Sequence, residues 1–123
     1  MNISAKSIRA FIGARNYDVS RAFYRDLGFE EIMTSEKMSY FRAGAFGFYL
    51  QDAYVKDWVD NSMIFLEVDD LEDHLKALKV LGLTEKYKNV RLSGIVHNDW
   101  GSEFFLHDPS GILWHFGAFN TTT

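Results

Sequence analysis

Four residues near the C-terminus could do chemistry together. The stretch "VHNDWGSEFFLHDPSGILWHFGAF", residues 96–119, carries His97, Glu103, His107 and His115 between aromatic side chains. Imidazoles with a carboxylate make a donor set for a divalent metal. Aromatics that alternate with polar residues can instead make an ordinary strand pair, and the spacing bears on which it is. Successive residues of a strand point to opposite faces, so Glu103, Phe105 and His107 share one face and Phe104 and Leu106 the other. Likewise Leu113, His115 and Phe119 oppose Trp114 and Phe116. This is the pattern of a hairpin, turned at "DPSG" with proline at the second turn position. It spreads the histidines along strands and loops instead of gathering them. His107 then reads as a strand-end residue beside Asp108, and His97 as a solvated loop residue in "VHNDWG". His74 falls on a polar helix face.

The elements that must position this hairpin repeat along the chain. Residues 8–14, "IRAFIGA", read as a buried strand. "NYDVSRAFYRDLGFE" reads as a helix with Asp18 as its N-terminal cap and Val19, Ala22, Phe23 and Leu27 on its apolar face. Gly28 stops it. Strands follow at 29–34, 38–43 and 46–51, the last two joined at "RAGAFG". The order then recurs: a strand at 62–68, and a helix in "DDLEDHLKALKVLGL" capped by Asp69 or Asp70. That helix carries Glu72 and Asp73 early and Lys76 and Lys79 late, as the helix dipole favours. Leu71, Leu75 and Leu78 form its apolar stripe and Gly82 ends it. Two or three strands close the unit. Both halves therefore read β-α-β-β-β, an α+β duplication with one module at 7–51, a linker at 52–61 and a second module at 62–119.

Composition narrows the functions. The 123 residues suit a single domain, 1–123, and 47% hydrophobic residues suffice for a core at that length. Aromatics reach 16%, enough to line a ligand cavity as well as fill a core. The formal charge is −4, without the clustered Lys and Arg of a nucleic-acid footprint. With no cysteine, thiolate nucleophiles and Cys-type zinc sites are excluded. The start "MNISAKSIRAFIGA" lacks the apolar centre of a signal peptide, and no apolar run approaches the roughly 18 residues that span a bilayer. A cytoplasmic location is the expectation, with neither nucleic acid nor membrane as partner.

"AFYRDLGFE", "DNSMIFLEVDDLE" and "WGSEFFLHDPSGILWHF" together resemble the vicinal-oxygen-chelate superfamily, which includes glyoxalase I, extradiol dioxygenases, fosfomycin-resistance enzymes and bleomycin-resistance proteins. The resemblance covers nearly the whole chain. It implies two βαβββ modules forming curved mixed sheets around a cavity, in a homodimer. Metal-dependent relatives place one ligand on each of three strands. By alignment those positions fall near Arg9, at Met63 and at His115. Arginine is a permanent cation that repels a divalent ion, and methionine is a soft ligand unsuited to Mg²⁺, Mn²⁺ or Fe²⁺. Glu67 shares the face of Met63 but lies about 13 Å along the strand. No metal, no cofactor and no catalytic residue is therefore expected.

The nearest branch by local motif is that of the metal-free bleomycin-resistance proteins. It implies a non-catalytic, sequestering protein for antibiotic resistance, holding an aromatic ligand, cationic in the drug-binding case, in a dimer-interface cavity. The ligand would be a bleomycin-like drug or an unknown aromatic metabolite. Matching positions suggest Trp100 and Phe65 as stacking residues, with His115 facing the cavity. Trp58, Tyr40, Phe48 and Tyr49 are weaker candidates, proposed from composition. Two alternatives stay open. One is a glyoxalase- or dioxygenase-like lyase or isomerase, with His115 or Glu67 as acid–base if it works without metal. The other is an interaction module with no small ligand.

Overall fold

A computed structural model describes residues 3–121; Met1, Asn2, Thr122 and Thr123, the ends of the expected domain, lie outside the described residues. Strand β1 (Phe11–Gly13) is shorter than the expected 8–14. Of its residues only Ile12 reaches the core; Phe11 is exposed, as is Ile8 ahead of the strand. Helix α1 (Tyr17–Leu27) follows. Its cap is Asn16, whose side chain accepts the Val19 N–H at 3.2 Å. Asp18, the expected cap, sits instead in the first turn, where it accepts from Arg21 at 3.1 Å. The buried residues of α1 are Tyr17, Ser20, Phe23 and Tyr24, so the helix is rotated from the face its apolar residues suggest and Val19 is exposed. Gly28 ends α1 in the left-handed conformation, φ 113°, where a Cβ would be strained.

Strands β2 (Glu30–Ser35), β3 (Met38–Ala43) and β4 (Phe46–Gln51) complete a sheet of order β1-β4-β3-β2, with β1 parallel to β4 and the rest antiparallel. The expected linker holds a short helix, α2 (Lys56–Asp60). Strand β5 (Met63–Glu67) leads to α3 (Leu71–Leu81), capped by Asp70 accepting the Asp73 N–H at 3.0 Å. Leu71, Leu75 and Leu78 are buried as the spacing predicts. After α4 (Leu83–Lys86), an extra turn, come two short strands, β6 (Arg91–Leu92) and β7 (Val96–His97), and the long hairpin of β8 (Gly101–His107) and β9 (Leu113–Phe119). The second sheet runs β5-β9-β8-β6, with β7 also on β8 and β5 parallel to β9. The connectivity of the first sheet is thus repeated, β6 and β7 together replacing its edge strand. No helix among the described residues is long and apolar enough to cross a membrane.

The two sheets share one core. Trp114 of β9 lies 5.3 Å from Phe48 of β4 and 5.7 Å from both Tyr24 and Phe29, ring centroid to centroid. At its centre Tyr24 donates to Asp108 Oδ2 at 2.6 Å and accepts from Trp114 Nε1 at 2.9 Å. This pairing lets a tyrosine hydroxyl be fully buried without an orphaned polar atom, and it explains the rotation of α1. Asp108 Oδ1 meanwhile accepts the N–H groups of Ser110, Gly111 and Ile112 at 2.8–2.9 Å, which fixes the β8–β9 turn. A second polar clamp holds α1 to the first sheet: Glu31 accepts from Arg21 at 2.6 Å and from Arg25 and Ser39 at 2.7 Å.

Because both sheets turn one face toward this core, their other faces point away from each other. The cavity implied by the fold is not closed within one chain.

Candidate functional site

On the second sheet the open face is built by β5, β8 and β9. Register sets Phe65 of β5 beside His115 of β9, and His115 beside Phe105 of β8. Phe65 lies down across the backbone because Gly117 has no side chain; a Cβ there would fall 2.4 Å from the Phe65 ring. Its ring then meets Trp100 at 5.8 Å and Phe119 at 5.6 Å, and those two meet each other at 5.3 Å. All three stay substantially exposed, at 44%, 38% and 54%. Three large rings left to water on one patch form a contiguous exposed apolar surface.

Beside them, His115 Nδ1 lies 2.8 Å from Glu103 Oε1, and Asn98 Nδ2 donates to Glu103 Oε2 at 2.8 Å. A carboxylate can only accept, so the imidazole Nδ1 carries the proton in this bond. Nε2 is then the polar atom the ring has left, and it makes no hydrogen bond among the described residues. The arrangement presents an oriented imidazole on an aromatic floor. Further along the same face, Phe105, His107, Leu113, Arg91, Leu92 and Ser93 line a hollow of about 440 Å³. Burial lowers the pKa of His107 below its ordinary value, and the nearby charge of Arg91 lowers it further.

The first sheet has a counterpart. Phe11 pairs with Tyr49 in the same parallel register as Phe65 with His115, and Tyr40 stands where Phe105 does. Phe11 stacks on Tyr49 at 4.7 Å, and Tyr40 lies 5.1 Å from Tyr49. Arg9 covers Tyr40, its guanidinium carbon 4.1 Å from the ring centroid.

Solved structures share this architecture. A bleomycin-binding protein from bleomycin-producing Streptomyces verticillus, complexed with copper(II)-bleomycin, matches with TM-score 0.80 and 18% identity over 97% of this chain and 100% of its own. A bleomycin-resistance determinant encoded on the transposon Tn5 matches with TM-score 0.79 and 20% identity over 95% and 100%. Lactoylglutathione lyase from Agrobacterium tumefaciens matches with TM-score 0.70 and 16% identity over 95% of each chain. The chain has the glyoxalase/bleomycin-resistance fold. No family model and no curated protein matches it.

Within the glyoxalase/bleomycin-resistance fold the expected site residues fall into three groups. Phe65, Trp100 and His115 come together on the open face of the second sheet. Tyr40 and Tyr49 lie on the open face of the first. Phe48 does not join either: it is 4% exposed, on the core face of β4, packed among Tyr24, Phe29, Phe41 and Trp114. Every residue of β4 from 46 to 50 is apolar, so alternation cannot say which set faces inward. Trp58 is 74% exposed on α2, with no aromatic ring in stacking contact among the described residues. At the three aligned metal positions, Arg9 is engaged by tyrosines, Met63 is exposed and His115 is bonded to Glu103. Among the described residues no group of three His, Asp or Glu side chains is placed to hold a metal ion. The residues the sequence did not single out for the site are Phe119, Asn98, Glu103 as partner of His115, and Arg91. Alternation did put Glu103 and Phe119 on the correct face, but the diagonal Glu103–His115 contact depends on strand register.

Proposed function

We propose that the protein binds and sequesters a flat aromatic small molecule, without transforming it, in a cavity formed when two copies of the chain bring their open faces together. One observation carries this reading: the exposed Phe65–Trp100–Phe119 cluster beside the oriented His115–Glu103 pair. Rings of this kind hold a planar ligand by stacking and, for a cation, through their π faces. The imidazole supplies one directional hydrogen bond. The divergent open faces support the second copy, because each half-site alone leaves large apolar side chains in water. The fold's bleomycin-bound members support a ligand of bleomycin-like character, or an aromatic metabolite of similar shape, and the use in resistance that this implies. A homodimer in the cytoplasm is part of the same proposal.

The test is a fluorescence titration with bleomycin. Trp114 is buried and Trp58 stands apart, so quenching should come from Trp100. Trp100→Ala should abolish the quench and weaken binding by roughly 10-fold or more, the worth of one stacked aromatic. A flat titration to high micromolar drug would remove the bleomycin reading. Light scattering that finds only monomer would remove the shared cavity.

An acid–base role for the same pair is the second reading. The orienting carboxylate on Nδ1 favours it, since a general base needs a fixed tautomer with Nε2 toward its substrate. His115→Gln should then abolish turnover of a substrate while leaving its binding, whereas under sequestration there is no turnover to lose.

A further inference from the structure

The open face of the first sheet carries a cation that the protein itself does not neutralise. Arg9 lies over Tyr40, its guanidinium carbon 4.1 Å from the ring centroid, and donates from Nη1 to the Tyr49 hydroxyl at 2.8 Å. Tyr40 can offer its ring because it crosses Gly47, where a Cβ would fall 2.5 Å from Cζ and the hydroxyl oxygen. The guanidinium is therefore held through its face and one N–H. Nε and Nη2 make no hydrogen bond among the described residues. The other arginine of that face, Arg42, is taken up by Glu30 at 3.1 Å. The ion pairs among the described residues leave Arg9 without a carboxylate.

We propose that Arg9 is the anion-binding group of the ligand face, and that the molecule held there carries a carboxylate or phosphate on a flat ring. This deepens the reading above and rests on it. Three physical points converge. A guanidinium presents a planar fork of N–H donors that matches two oxygens of a carboxylate or phosphate. Stacking and the Tyr49 bond restrain the side chain beforehand, so less rotamer entropy is lost on binding. The flanking rings of Phe11, Tyr40 and Tyr49 give the attached ring an apolar seat. A purely cationic ligand would meet repulsion at this point.

The test compares two probes of one shape, naphthalene-2-carboxylate and its neutral carboxamide, by calorimetry on the wild-type protein, Arg9→Met and Arg9→Lys. Phenyl phosphate against benzoate then separates phosphate from carboxylate preference. The carboxylate should bind the wild type at least 10-fold more tightly than the amide, with the preference falling as salt is raised. Arg9→Met should erase that preference by weakening the carboxylate far more than the amide; Arg9→Lys should keep part of it, having charge without the fork. Equal binding of the two probes, or a preference that survives Arg9→Met, overturns the inference and leaves the aromatic site standing. If neither probe binds, the ligand-face reading falls with it. An Arg9→Met protein that becomes monomeric where the wild type is dimeric would make Arg9 an interface contact instead, and would also overturn the proposal.

Discussion

Replacing Asp108 with alanine should cost the fold about 4 kcal/mol, measured by urea unfolding at neutral pH. This one carboxylate accepts four hydrogen bonds: three from the backbone of its own turn, and one from Tyr24 at the centre of the core. Burial raises its pKa, and the Tyr24 hydroxyl and the turn N–H groups offset that only in part. Alanine leaves the Tyr24 O–H without an acceptor in a place no water reaches, and it releases the turn between β8 and β9. Asparagine should cost less, about 2 kcal/mol, because its oxygen can still serve the turn while its amide cannot accept from Tyr24. Equal losses in the two variants would mean that the turn alone matters and that the Trp114–Tyr24–Asp108 chain is incidental.

The second large effect is on acid stability. Burial pushes the Glu31 carboxyl up, but hydrogen bonds from Arg21, Ser39 and Arg25 outweigh it and lower the pKa from 4.5 to about 2. A carboxyl whose folded pKa is depressed binds its proton more readily in the unfolded chain. Its stabilisation is therefore full above about pH 4.5 and is lost as pH falls toward about 2. At 1.36 kcal/mol per pH unit the shift is worth roughly 3 kcal/mol. Glu31→Gln should lower stability by about that much near pH 7, and its unfolding curve should converge with the wild type near pH 2. A gap that persists unchanged through pH 3 would show that packing, not charge, makes the clamp.

Much of the fold was legible because its signals are local. Gly28 and Gly82 end their helices in the left-handed region, as the "LG" pairs imply. Asp70 caps α3, and "DPSG" turns the hairpin. The repeated order of elements became a repeated sheet connectivity. Other features depended on distant partners. Tyr24 was not singled out, because Asp108 and Trp114, its hydrogen-bond partners, lie more than eighty positions away. Asn16 took the cap from Asp18 because the helix begins two residues earlier than its apolar residues suggest. Within the site, alternation grouped Glu103, Phe105 and His107, and separately His115 and Phe119, on the correct faces. It could not join them, because strand register is not written in one strand. Phe48 and Tyr40 were indistinguishable for a related reason: each strand carries aromatic or aliphatic residues on both faces, and only the shared core decides which side is inside.

The claim on which the account turns is that the two open faces form one ligand site. Chemical-shift mapping on uniformly labelled protein, titrated with naphthalene-2-carboxylate, tests it most directly. The account predicts that Arg9, Tyr40 and Tyr49 of the first sheet and Phe65, Trp100 and His115 of the second shift together, along one binding curve. Shifts confined to one sheet, or two curves with different midpoints, would contradict it.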